Sequence, residues 1–135
     1  MNDTRNSFSK VWLPVLLWMC FIFFLASVPG KDIPDVPPYF HKTAHFVEYS
    51  VLAGLWIRAF LIRLPGAAWL KFSILAWILS TLFAFSDEWH QGFVPGRRAK
   101  LEDALTDMIW AAMGILFYLY VRHKLGHTKD LRRNS

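Results

Sequence analysis

Ser86-Asp-Glu-Trp-His-Gln-Gly-Phe-Val-Pro-Gly-Arg-Arg-Ala-Lys-Leu-Glu-Asp-Ala-Leu-Thr-Asp107 sets charge and turn chemistry between two strongly apolar runs. Asp87, Glu88, His90 and Gln91 close the run before it, Pro95-Gly96 turns the chain, and Asp103 and Asp107 open the run that follows. A polar island of this kind implies that the flanking runs are buried in something other than water. Helices of about 18 or more apolar residues cross a hydrocarbon core of roughly 30 Å, and the chain holds four such runs, at 11–28, 43–64, 67–85 and 103–121. The fold class expected is all-α, an integral membrane bundle of four transmembrane helices, with polar tails at 1–10 and 122–135. A composition 55% hydrophobic and 17% aromatic in 135 residues agrees.

The connections follow from the same reading. Asp32, Pro34, Asp35, Pro37 and Pro38 break any helix between the first two runs, because proline lacks the amide donor and restrains its predecessor. Pro65-Gly66 leaves room only for a helical hairpin, so the second and third runs are antiparallel neighbours. The first run, behind a basic start and before Ala26 and Ser27, resembles a secretory signal, but Pro29-Gly30 lacks a small-x-small ending and an uncleaved helix is expected.

The net charge of +5 does not point to nucleic acid, because the basic residues sit at segment ends rather than on one helical face. Ten of the fifteen Lys and Arg lie in the two tails (Arg5, Lys10, Arg122, Lys124, Lys129, Arg132, Arg133) and the second connection (Arg58, Arg63, Lys71). By the positive-inside rule both termini are expected in the cytoplasm and the polar island outside. Trp12 and Trp69 near one membrane face, and Tyr39 and Trp89 near the other, are expected as interfacial anchors. Cys20 is the only cysteine, which excludes a disulfide framework and a cysteine metal cluster.

Residues three, four and seven apart share a helix face. His45, Glu48, Tyr49 and Leu52 form one such stripe, Asp103, Thr106, Asp107, Trp110 and Gly114 another, and Asp87, Glu88 and Gln91 converge at the end of the third run. Glu48 and Asp107 should lie at similar depth, about one turn beneath the surface. Buried acids in membrane helices mark functional sites by default. The alternative is that five acids and Lys42, Arg97, Arg98 and Lys100 merely neutralise one another and staple the helices. Polar inter-helix contacts in membranes average only about 0.6 kcal/mol, which makes so large a network an inefficient staple.

His45, Glu48, Asp87 and Glu88 are thus the acid–base candidates, and Arg97, a bidentate donor to phosphate or carboxylate, is the anion-binding one. For Arg98 and Lys100, ordinary snorkelling towards lipid headgroups is the preferred reading. Metal ligation by His45, Glu48, Asp87 and His90 is the weaker reading, since no spacing fixes a coordination shell. No cofactor is expected.

The segments His41-Lys-Thr-Ala-His-Phe-Val-Glu-Tyr49 and Ser86-Asp-Glu-Trp-His-Gln-Gly-Phe-Val-Pro-Gly-Arg97, followed by Asp103, resemble the VanZ-like family of small bacterial membrane proteins. The resemblance runs from about Lys42 to Gly114 and carries the family's motif positions onto Lys42, His45, Tyr49, Asp87, Glu88, Gln91, Pro95, Gly96, Arg97 and Asp103. His41 replaces a usual Asp, and Asp107 and Trp110 stand where an Asn with a nearby Gly is usual, which implies looser packing there. The name-giving member is associated with teicoplanin resistance, so the resemblance implies the cell envelope more than a reaction.

Together these readings give a binding site formed by Lys42, His45, Glu48, Tyr49, Asp87, Glu88, Gln91, Arg97, Asp103 and Asp107 for a membrane lipid or lipid-linked envelope precursor. The alternatives are a membrane-embedded lipid hydrolase or transferase, and a module that docks an envelope protein or a second copy of itself. A transporter is least favoured, because four short helices without a repeat leave little room for alternating access.

Overall fold

The computed structural model describes residues 8–64 and 68–133. The expected turn at Pro65-Gly66 and the basic residue Arg5 lie outside them. The described residues form four helices, α1 (Phe8–Ala26), α2 (Pro38–Arg63), α3 (Trp69–Gln91) and α4 (Leu101–Arg133), with a single 3-10 turn at Gly30–Asp32 in the first connection. All four are long and apolar enough to cross a membrane.

The helix ends depart from the apolar runs in an instructive way. α2 begins at Pro38 rather than Thr43, because proline suits the first helical position, where its missing amide costs nothing. His41 and Lys42 are therefore helix-borne. α3 runs on past Phe85 to Gln91, and α4 past Val121 to Arg133. Charge ends an oily run, but it does not end a helix whose residues keep helical propensity and whose basic end complements the macrodipole.

α2 is the central element and packs against the other three. Its Tyr49, Leu52, Ala53, Ile57 and Ala59 are fully enclosed. α1 lays the stripe Val11, Val15, Ile22 and Ala26 on the bundle and turns Leu13, Leu16, Leu17, Phe21 and Phe24 outward. Ile78 and Leu82 on α3 and Leu116 and Phe117 on α4 are likewise exposed. That much exposed Leu and Phe on every helix suits lipid rather than water as the surrounding solvent.

Three indole or hydroxyl groups tie helix to helix through backbone carbonyls: Trp18 Nε1 donates to Glu48 O (2.9 Å), Trp77 Nε1 to Met108 O (3.0 Å) and Ser50 Oγ to Trp110 O (3.0 Å). A helical carbonyl has a second lone pair to offer, so these bonds cost the helices nothing. The closest approach is between α2 and α4. A side-chain carbon added at Gly114 would overlap the Ser50 carbonyl oxygen and come within 2.6 Å of Ser50 Cα. The looser packing implied at Asp107 and Trp110 does not occur: Trp110 gives its carbonyl to Ser50, and Gly114, one turn on, supplies the small residue.

At the end of the bundle away from the polar island, Trp12 packs edge-on to Trp56 (5.9 Å) and Phe60 (5.6 Å). It is therefore partly buried against the core at that helix end. Tyr39, Trp69 and Trp89 are exposed near the helix ends.

Candidate functional site

The polar residues gather where α1 and α3 end and α2 and α4 begin. Side-chain periodicity puts His45, Glu48 and Tyr49 on the face of α2 that looks into the bundle, and each finds a different surrounding. His45 Nδ1 meets Asp107 Oδ2 on α4 at 3.1 Å. Tyr49 donates its hydroxyl to Asp87 Oδ2 on α3 at 3.2 Å, and Gln91, one turn further along α3, donates to the same oxygen at 3.2 Å. Three helices are thereby joined at one level, as the helical faces predicted.

In each aspartate one oxygen is engaged and the other is not. Asp87 and Asp107 are 2% and 1% exposed, and the Oδ1 of each is buried without a hydrogen-bond partner among the described residues. Buried polar atoms are nearly always satisfied, so two orphaned carboxylate oxygens at one level call for a partner. Glu48, also buried, makes no side-chain hydrogen bond among the described residues and faces a cavity.

Glu88 has another task. Its Oε2 accepts the Lys100 amide at 2.9 Å, placing a carboxylate at the start of α4, where it satisfies a backbone donor and faces the positive end of the helix dipole. It lines neither of the cavities described below and is a capping group rather than an acid–base candidate. His90 also leaves the cluster: its ring stacks on Phe23 at 4.3 Å and Nε2 lies 3.0 Å from Ser27 Oγ. Among the described residues no three His, Cys, Asp or Glu are placed to hold a metal ion.

Arg97 is held by α1, an element the sequence reading gave no part in the site. Its Nε donates to Val28 O (3.2 Å) and its Nη2 to Leu25 O (2.9 Å), satisfying carbonyls at the end of α1. The Gly30 amide donates to Pro95 O at 2.9 Å, and Gly30 and Gly96 are in backbone contact, with Gly96 at φ +78°. A positive φ is accessible to glycine at no steric cost. The first and third connections are thus clasped together above the polar level. Backbone acceptors leave no trace in a side-chain pattern, so only the helix-ending Pro29-Gly30 hinted at this role.

Two cavities lie under the clasp. The larger, about 630 Å³, is bordered by Lys42, Arg97, Arg98 and Lys100, with Asp103, Asp107 and Trp110 on the α4 side. The smaller, about 290 Å³, reaches inward between Ile22 and Ala26 of α1 and Glu48 and Asp87. His45, Gln91 and Arg97 line both. Lys42, Arg98 and Lys100 are exposed and make no ion pair among the described residues. Wholesale mutual neutralisation of acids and bases is therefore not what the structure shows; among the described residues the one close pair is His45 with Asp107.

The chemistry open to this arrangement is anion binding and proton transfer. With Nδ1 held by Asp107, His45 has Nε2 without a partner among the described residues. Thr106 is the only hydroxyl-bearing residue lining either cavity among those described, and its Oγ1 already donates to Glu102 O at 2.7 Å.

A family model described as VanZ/LLP1 matches residues 11–122, a span that takes in every residue of the site. The chain belongs to the VanZ/LLP1 family. Comparison with curated proteins and with solved structures returns no match. VanZ/LLP1 membership and four membrane-spanning helices together make this a multi-pass membrane protein.

One test of the network needs no ligand. Tyr49→Phe keeps the ring of a fully enclosed residue and removes only the donor to Asp87. It is expected to cost about 1–2 kcal/mol, seen as a lower melting temperature in detergent; an unchanged melting temperature would show that the bond carries no stability.

Proposed function

We propose that this VanZ/LLP1 protein binds the phosphate-bearing headgroup of a lipid or lipid-linked envelope component at the outer face of the bacterial cytoplasmic membrane, with both termini in the cytoplasm. The orientation rests on the excess of Lys and Arg in the tails and the second connection. The observation that carries the binding role is the larger cavity, whose exposed Lys42, Arg98 and Lys100, in no ion pair among the described residues, border an opening at the bundle end. Three cations against Asp35 and Asp103 leave this rim net positive and attractive to phosphate, and Arg97, with two of its five donors spent on α1, retains others for it. Holding an envelope precursor there would alter access of a glycopeptide such as teicoplanin to its target.

Reversing Lys42, Arg98 and Lys100 together to Glu leaves the buried network intact, because all three are exposed. The triple variant is expected to lose co-purifying phospholipid, read by native mass spectrometry, and any effect of the protein on teicoplanin susceptibility. Retention of both would refute the reading. Arg98→Cys in a Cys20→Ser background should react with a membrane-impermeant thiol reagent in intact cells; labelling only after lysis would reverse the orientation.

The partnerless Nε2 of His45 favours a second reading, in which the same site activates water against a lipid phosphate. Phosphate release by purified protein, lost in His45→Gln, would establish it, and inert protein across a lipid panel would remove it.

A further inference from the structure

We infer that the site selects a zwitterionic phosphate ester of the phosphoethanolamine type, with its phosphate among the exposed cations and its ammonium turned inward to the carboxylates. The inference rests on the headgroup-binding reading and adds the class of headgroup.

Charge changes sign with depth. The exposed side of the larger cavity is net positive, with Lys42, Arg98 and Lys100 against Asp35 and the half-buried Asp103, while the enclosed carboxylates of Asp107, Asp87 and Glu48 lie on the inner side, the first lining the larger cavity and the other two the smaller. His45 and Arg97 line both chambers and form the boundary between them. A simple anion satisfies the outer half and leaves the inner half worse off, because it brings negative charge towards three acids and donates nothing to them.

The unpartnered Oδ1 atoms of Asp87 and Asp107 define what the inner half lacks. A carboxylate oxygen is an acceptor only, so its partner has to be a donor, and a positively charged donor gives the strongest bond. A primary ammonium offers three N–H groups and a charge in a compact head. A quaternary ammonium offers the charge without the donors, and a glycerol headgroup offers hydroxyl donors without the charge. Of the three, only the first supplies both the donors that an orphaned carboxylate oxygen lacks and the positive charge that the excess of acid favours.

The test uses the full-length protein reconstituted in vesicles of equimolar phosphatidylethanolamine, phosphatidylglycerol and phosphatidylcholine, extracted gently and examined by native mass spectrometry for retained lipid. Phosphatidylethanolamine is expected to be enriched about tenfold over either competitor, the discrimination one charge-assisted hydrogen bond supplies. Soluble glycerophosphoethanolamine should displace it, which marks the headgroup rather than the acyl chains as the recognised part.

The double variant Asp87→Asn and Asp107→Asn keeps shape and keeps an acceptor for Tyr49 and Gln91, but turns an amide towards the ligand. It is expected to abolish the preference for phosphatidylethanolamine over the other two lipids. Equal retention of the three lipids, or enrichment of phosphatidylglycerol, by the unmodified protein overturns the inference and leaves phosphate binding standing. Retention of none overturns both. The selectivity of the unmodified protein decides the matter even where the double variant does not fold.

Discussion

Gly114→Ala is expected to destabilise the bundle by about 2–4 kcal/mol, and Gly126→Ala, on the same helix, to stabilise it by about 0.5–1 kcal/mol. The change in propensity is identical, since alanine is the better helix former. The surroundings set the sign. At Gly114 the new carbon overlaps the Ser50 backbone, whereas at Gly126 nothing lies within 4 Å.

Backbone cannot move aside as a side-chain tip can, so α2 and α4 have to separate. Separation stretches the Ser50 bond to Trp110 O and then, along the same face of α4, the His45–Asp107 contact. Thermal unfolding of the two variants in detergent reads the difference directly, and the Gly114 variant should also lose bound phospholipid. Equal melting temperatures for the two would show that the close crossing does not govern stability.

Arg97→Ala is expected to cost about 3 kcal/mol or more, since two charge-assisted bonds to Leu25 and Val28 carbonyls disappear, leaving the Val28 carbonyl without that donor and Leu25 O with only the Val28 amide. The loss should be local. Amide exchange should accelerate over Leu25 to Gly30, which contains the Gly30 amide that bonds Pro95 O, while the core of α2 stays protected. Arg97→Lys should recover little, because a single flexible ammonium cannot reach both carbonyls as a fork does. Because Arg97 also lines both cavities, lipid retention should fall with stability. An Arg97→Ala protein with unaltered exchange in that stretch would contradict the clasp.

The sequence made the four helices plain, because in a bilayer an apolar run is itself the requirement for spanning. Their ends were not legible by the same signal: Asp87 to Gln91 and the residues after Val121 are polar, yet they continue α3 and α4. Helical spacing correctly placed His45 with Tyr49, and Asp87 with Gln91, on common faces. It could not say that His45 turns to Asp107 and Tyr49 to Asp87, since the rotation of one helix against another is set by packing.

Glu88 and His90 were indistinguishable from Asp87 as letters in a polar run. Position on the helix separates them, with Glu88 capping α4 and His90 stacked on Phe23. The contribution of α1 was hidden because it is made by carbonyls, and the Gly114–Ser50 contact because its basis is the absence of a side chain.

The bonds from Arg97 to α1 span 69 and 72 positions of the chain. At a synthesis rate of about 5–20 residues per second, the first helix emerges roughly 4–14 seconds before the guanidinium that completes it. During that interval the Val28 carbonyl depends on the insertion machinery or on headgroup water, and a ribosome that stalls between the second and third helices holds a nascent protein whose first helix ends on its own local amides alone.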